Sequence, residues 1–392
     1  MSRISKRLLM IFFVVTIFVV GAGTLLNARH DIMDAVRDNP VSKTPDAVET
    51  VLQNDFKGKN RWVNLNGLAQ KAMLKTVVKD PGKTVYRLKN GQVMYGLPKR
   101  DMKKYAAKLE DFNSWLSGEG VGFLYVQIPF KIKDDSYMPP GTHANGNANA
   151  DQLVKLLDEK KVNYLDLRDE IEKDGLDWTS LFFYTDHHWR PAAGLWASGK
   201  IMKRVSDDFG FDVDLSHYDK ENYESKWYRN YMLGAVGRRT GYWYSGLDDF
   251  ELLTPKYKTD YDFWGKSKDG IKKAKGDYTE TMIMEENLDS RADFEVNTYA
   301  TYIGKNFARN VIKNRICKNG LRVLWFSESF SGVLIPFVSA DVEEITTIDL
   351  RRFKEKSMKT FIREYKPDVV IVAYNPSAFS MKQFNFLGWE IR

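Results

Sequence analysis

The chain contains one cysteine, Cys317, in 392 residues. No intrachain disulfide can form, so the core alone must hold the fold, and a metal site built from thiolates is excluded. Histidine is scarce as well: there are five, and two are adjacent at His187 and His188. No helical His pair with an intervening glutamate occurs, which removes the helical zinc-hydrolase pattern. Nor is there a recognisable nucleic-acid-binding motif. Nucleic acid is therefore not an expected partner, and the formal net charge of +7 suits an anionic membrane or an anionic glycan instead.

Apolar and aromatic text is plentiful. From Leu8 to Leu26 the apolar run is broken only by Thr16, Gly21, Gly23 and Thr24, which is long enough to span a bilayer. Arg3, Lys6 and Arg7 precede it, so the positive-inside rule keeps the N-terminus cytoplasmic. Residues 1–27 are expected to form an uncleaved, single-pass signal anchor, because a cleaved signal peptide has a shorter apolar core and a better cleavage pattern than Gly21-Ala22-Gly23. The rest of the chain then lies at the cell membrane on its extracytoplasmic side. Residues 28–60, polar and mixed in charge with Pro40 and Pro45, predict a stalk and a partly helical entry segment.

A folded domain is expected over residues 61–392. Alternating apolar residues around Asn90-Gly91 predict a hairpin. Met102, Tyr105, Leu109, Phe112 and Trp115 recur at helical spacing, and the apolar run VGFLYVQI follows, ending at Ile128. The pattern returns with a helix over 150–161 and a strand over 162–167, and further apolar runs lie at 321–326, 342–348 and 369–374. Five such strands separated by helical text predict an α/β fold, a parallel sheet with helices on both faces. Ligands of such sheets gather beyond the carboxyl ends of the strands. Residues 209–313 break the alternation; rich in Tyr and Trp, with the segment GAVGRRTG (Gly234 to Gly241) and a basic run at 266–277, they read as an insertion over the sheet's active edge. The aromatic residues there can stack sugar rings or form the insertion's own core.

Two segments carry chemistry. In TDHHWRPAAG, Thr185 to Gly194, Asp186 lies two residues before His188 on a short loop, where a carboxylate can fix an imidazole tautomer. In RVLWFSESFSGVLIPF, Arg322 to Phe337, an apolar strand runs into Ser329 and then into helically spaced apolar residues. That geometry holds a serine hydroxyl at the top of a sheet, with a helix N-terminus behind it to stabilise an oxyanion. The alternatives are a serine that merely caps the helix, with Ser331 as its neighbour, and a metal at Asp186, His187 and His188 completed by His30, His143, His217 or distant carboxylates. The preferred reading uses no metal and no cofactor.

The motif TDHHWRPAAG is similar to the signature of the DHHW protein family, whose members resemble the alginate O-acetylation proteins of the SGNH-like hydrolase superfamily. VNLNGL (Val63 to Leu68), YRLKNGQV (Tyr86 to Val93), YVQIPFKI (Tyr125 to Ile132), GAVGRRTG and SESFSGVLIPF add to the resemblance. It implies a permuted SGNH-like domain with Asp186 as orienting acid, His188 as general base and Ser329 as nucleophile; His187 receives no role and Trp189 is a packing residue. Related proteins usually have Gly-Asp-Ser before the nucleophile, whereas this chain has Ser327-Glu328-Ser329. The superfamily's Gly-x-Asn-Asp block is missing too, which leaves Asn375 only as a positional stand-in for the oxyanion asparagine and makes the Ser329 backbone N–H the preferred donor. Lys131, Arg238 and Arg239 are candidates to bind an acidic substrate group.

The expected function is O-acetylation of a cell-surface polysaccharide through an acyl-enzyme. The implied partner is a membrane-bound O-acyltransferase that delivers acetyl across the membrane. An esterase using the same triad and a non-catalytic polysaccharide-binding or assembly component are the other readings.

Overall fold

A computed structural model describes residues 3–80, 83–268, 270–303 and 307–388. The extreme ends of the expected anchor and domain, and Asp269 in the basic run, lie outside the described residues. The apolar run lies in a single helix, α1 (Arg3–Asp38), long and apolar enough to cross a membrane. Two shorter helices follow, α2 (Thr44–Asn54) and α3 (Lys59–Ala72). A small antiparallel sheet then forms from β1 (Val77–Asp80), β2 (Lys83–Arg87) and β3 (Val93–Tyr95), with β2 and β3 as the arms of the predicted hairpin.

The main body alternates as expected: α4 (Lys103–Gly118), β4 (Gly122–Gln127), α5 (Asn145–Glu159), β5 (Tyr164–Asp166), α6 (Leu167–Lys173) and α7 (Pro191–Phe209). Helix α7 opens on a proline, whose missing N–H costs nothing in a first turn, and stops at Gly210, which takes the left-handed conformation (φ 74°). The insertion supplies β6 (Tyr223–Met232), β7 (Asp248–Pro255), β8 (Tyr261–Ser267) and β9 (Gly270–Gly276). After it come β10 (Arg309–Asn314), β11 (Arg322–Phe326), β12 (Glu344–Ile348) and β13 (Val369–Tyr374).

Strands β5, β4, β13, β11 and β12 lie in that order as a parallel sheet, formed by the five predicted runs. Both faces are covered, so the strands are largely apolar and their alternate residues enter different cores, with Thr346 and Thr347 of β12 buried as well. On one face Leu124, Val126, Trp325 and Ile371 pack with α7 residues; on the other Phe123, Tyr125, Leu324 and Val372 pack with α4 and α5.

The insertion departs from its expected role. Besides reaching the active edge it lengthens the sheet, because β10, β8 and β9 continue it beyond β12 in antiparallel fashion. The basic run is the outermost of these strands, and lysines on a sheet edge discourage pairing with another chain. Most of the insertion's aromatics are core, among them Tyr218, Tyr223, Tyr244, Tyr261 and Tyr278, while Trp227 and Trp243 are exposed.

Candidate functional site

Residues 182–189 form a loop closed by an antiparallel bridge between Phe182 and Trp189. Three distant segments pin it. Buried Asp248, at the start of β7, accepts from the N–H groups of Tyr184 (2.5 Å) and Thr185 (2.7 Å) and from the Thr185 hydroxyl (2.6 Å). Lys131, just past β4, donates its ammonium to the carbonyls of Val93 (2.9 Å), Tyr184 (3.1 Å) and Asp186 (2.8 Å). The glycine-rich segment closes the third side: Gly234 N–H donates to Thr185 Oγ1 (2.8 Å), Gly237 N–H to the Thr185 carbonyl (2.8 Å) and Ala235 N–H to Asp186 Oδ2 (2.6 Å). A Cβ on Gly234 would stand 2.4 Å from the Asp186 Cβ, so glycine is required for this backbone approach.

Asp186, fully buried, thus receives Ala235 on one oxygen and His188 on the other: Oδ1 accepts the His188 N–H at 3.0 Å and lies 2.6 Å from His188 Nδ1. Burial alone would raise its pKa, but the positive character of His188 and these hydrogen bonds hold the carboxyl well below the usual range. An ionised acid at Nδ1 fixes the proton there and turns the Nε2 lone pair outward. His188 Nε2 is buried and without a hydrogen-bond partner. The ring is held flat against Tyr299, with centroids 3.8 Å apart and planes 6° apart. The His187 ring lies against His188, tilted by 38° with centroids 3.7 Å apart, and burial first, then the charge of His188, pushes its pKa down to about 3, so it stays neutral.

Ser329 follows β11 at the carboxyl end of the parallel sheet. Tyr299 links it to the histidine, since the hydroxyl of the ring that stacks on His188 donates to the Ser329 carbonyl at 3.1 Å. Phe330 packs on His188 (4.9 Å between centroids), and its carbonyl accepts from Trp189 Nε1 at 3.2 Å. Trp189 is therefore a buried packing residue that ties the two motifs together. The expected helix after the serine is instead one 3₁₀ turn, Ser329–Gly332, and a four-residue helix, Ile335–Val338. Its residues are buried on all sides, so apolar spacing there reflected burial and not one amphipathic helix. Ser331 accepts from Trp325 Nε1 at 3.0 Å inside the core.

The Ser329 hydroxyl donates to Glu328 Oε2 at 3.3 Å. Glu328 is buried, its other oxygen lacks a partner, and burial pushes its pKa up to about 7. Both residues line a cavity of about 850 Å³, with Arg351 from beyond β12, Ser377 from beyond β13, and His187 and Tyr95 on the facing wall.

Four residues read from the sequence as substrate or oxyanion contacts do other work. Lys131 is fully buried with its three donors committed to backbone carbonyls, and burial lowers its pKa to about 7, so it is a brace for the loop. Arg238 reaches the Phe294 carbonyl at 3.3 Å, and Arg239 pairs with Asp80 and the Tyr95 hydroxyl; neither lines the cavity. Asn375 donates to the Pro129 carbonyl at 2.6 Å and accepts from Ser377 N–H and Oγ at 2.9 and 2.7 Å, and it is not among the residues that line the cavity. Asp248, Tyr299, Tyr95 and Arg351 were not singled out in the sequence, since isolated Asp, Tyr and Arg residues carry no local signal.

Residues 92–254 match the family described as "SGNH hydrolase-like domain, acetyltransferase AlgX". That stretch includes Asp186, His188 and the glycine-rich segment and ends before Ser329. No curated protein matches the chain. Among solved structures, Bacillus cereus PatB1 with a sulfonyl adduct superimposes with a TM-score of 0.65 at 18% identity, covering 79% of this chain and 99% of its own. A DHHW family protein from Eubacterium siraeum gives 0.59 at 18% identity, covering 79% and 96%. The resemblance to DHHW and SGNH-like acetyltransferase proteins is thereby borne out, and the two structures share this fold.

Proposed function

We propose that the protein is an extracytoplasmic O-acetyltransferase that moves an acetyl group onto a cell-surface polysaccharide through a Ser329 acyl-enzyme. The observation that carries the reading is His188, held by ionised Asp186 at Nδ1 while its buried Nε2 has no partner beside the Ser329 turn. In this structure the Ser329 hydroxyl is bonded to Glu328 and not to His188, so the mechanism requires it to turn toward Nε2. Catalytic hydrogen bonds commonly tighten only when substrate is present.

In the first half-reaction His188 Nε2 takes the Ser329 proton while Oγ bonds to the acyl carbon, and the same proton passes to the donor's leaving group as that bond breaks. In the second, a sugar hydroxyl gives its proton to His188 and bonds to the acyl carbon; the Ser329 ester breaks and the proton returns to Oγ. The Ser329 backbone N–H, at the start of a helical turn, meets the developing oxyanion. The open cavity flanked by Tyr86 and Tyr95 suits a sugar ring. The fold is shared with PatB1, which has been solved with a sulfonyl adduct, and Ser329 is the group here that such a reagent would seek.

Acetyl must come from outside the catalytic domain, and a membrane-bound O-acyltransferase beside the α1 anchor is the proposed supplier. Ser329→Ala should abolish turnover of a chromogenic acetate with folding retained; surviving turnover removes Ser329 from the mechanism. Mass spectrometry of the surface polymer separates transfer from hydrolysis, because loss of acetyl in cells lacking the protein supports transfer and gain supports an esterase. A folded protein that a fluorophosphonate does not label at Ser329 would be a binding component.

A further inference from the structure

The exposed face of α3 is apolar, which is unusual for a helix at a protein surface. Its inner face is small and polar. Asn64 Oδ1 accepts the Tyr242 N–H at 2.8 Å, and a Cβ on Gly67 would stand 2.0 Å from the Thr240 carbonyl, so α3 sits tightly on residues 237–245. Its outer face carries Trp62, Leu65 and Leu68, and the chain continues into Met73 and Leu74, with exposures of 39%, 49%, 47%, 56% and 86%. Trp62, Leu65 and Leu68, each three residues apart, follow one side of the helix. No protein element covers this stripe among the described residues.

Two observations say what does. Helix α2 runs back along α1, and at its end the Lys57 N–H donates to Thr24 Oγ1 at 3.1 Å. Thr24 belongs to the last turn of the apolar run, so α3, which begins two residues after Lys57, starts at the level where α1 would leave the bilayer. Charge points the same way: from Lys57 to Lys79 the chain has six lysines or arginines (Lys57, Lys59, Arg61, Lys71, Lys75, Lys79) and no acidic residue. Basic residues around an exposed apolar stripe with a tryptophan suit a surface of anionic phospholipid. With 14 residues α3 is too short to span a bilayer.

We propose that α3 is an interfacial helix that seats the catalytic domain on the same membrane that α1 crosses. The proposal rests on the reading of α1 as a membrane span. It gives the domain a fixed height, since α3 holds residues 237–245 and their neighbours Gly234 and Ala235 touch Thr185 and Asp186. Exposed Trp243 lies on the same docked segment and adds a second aromatic ring near the interface.

Spin labels test this in the full chain with Cys317→Ser, reconstituted in vesicles of phosphatidylcholine and phosphatidylglycerol. Single cysteines are placed by Phe13→Cys, Leu65→Cys, Leu68→Cys and Lys155→Cys, and depth is read from collisions with oxygen and with a water-soluble nickel complex. Labels at 65 and 68 should lie about 5–10 Å inside the headgroup boundary, with 13 deep in lipid and 155 in water. If 13 is in lipid while 65 and 68 report water, or are shielded from both probes as against a second copy, the interfacial helix is refuted and the anchor stands. Should 13 report water, both fall together.

Discussion

Replacing Asp186 by Asn tests the relay at its most constrained atom. The carboxylate accepts three hydrogen bonds, from His188 N–H, His188 Nδ1 and Ala235 N–H, and an amide has one acceptor oxygen and one donor nitrogen. If the amide oxygen faces His188, its NH₂ is forced against the Ala235 N–H inside a fully buried site, at a cost of about 1–3 kcal/mol in stability. If it flips, the NH₂ faces His188 and Nδ1 becomes the acceptor. The imidazole proton then moves to Nε2, where it cannot accept from Ser329. Loss of the correct tautomer in a Ser-His-Asp site lowers kcat by roughly 10⁴-fold, about 5.5 kcal/mol of barrier. The Asp186→Asn protein should therefore remain folded, with a lower Tm, and turn over p-nitrophenyl acetate 10³- to 10⁴-fold more slowly, roughly. A folded variant retaining more than about a tenth of wild-type kcat would refute the relay, because among the described residues no second group bonds to the His188 ring.

Three further outcomes follow from the site's surroundings. Gly234→Ala should lower the unfolding free energy measured in urea by more than about 2 kcal/mol and lose ester turnover with it, whereas Gly118→Ala, where a Cβ meets nothing within 4 Å, should be neutral or slightly stabilising. Lys131→Met takes a donor from the carbonyls of Val93, Tyr184 and Asp186, of which Tyr184 keeps the Val93 N–H, and should cost about 3–5 kcal/mol in equilibrium unfolding, although no substrate contact is removed. Glu328 has a folded pKa of about 7, above its unfolded value, so its protonated form adds stability that is fully present below the unfolded pKa and lost as pH rises through 7. Glu328→Gln should abolish that decline, which amounts to at most about 3 kcal/mol; thermal melts at pH 5 and pH 8 that fall equally in both proteins would contradict it.

How much of this was legible in the sequence depended on whether a contact is local. Asp186 and His188 could be paired on paper because two residues on one loop cannot escape each other. The five parallel strands were legible because burial on both faces makes most of their residues apolar, β12 with Thr346 and Thr347 being the exception. Strand β9 was not: Ile271, Lys273 and Lys275 alternate with Lys272 and Ala274, and lysines on both sides of an edge strand erase the period. The same reasoning explains the residues that changed roles. Lys131, Arg238, Arg239 and Asn375 were chosen for what their side chains can do in isolation, and the fold places all four away from the lining of the cavity. A buried lysine bonded to three carbonyls and a glycine pressed against an aspartate tie segments 38 to 55 residues apart, distances over which no periodicity speaks. The relay is thus written locally, but its rigidity is not. That is why the perturbations expected to disarm it include Gly234 and Lys131, neither of which has any chemistry to perform on a substrate.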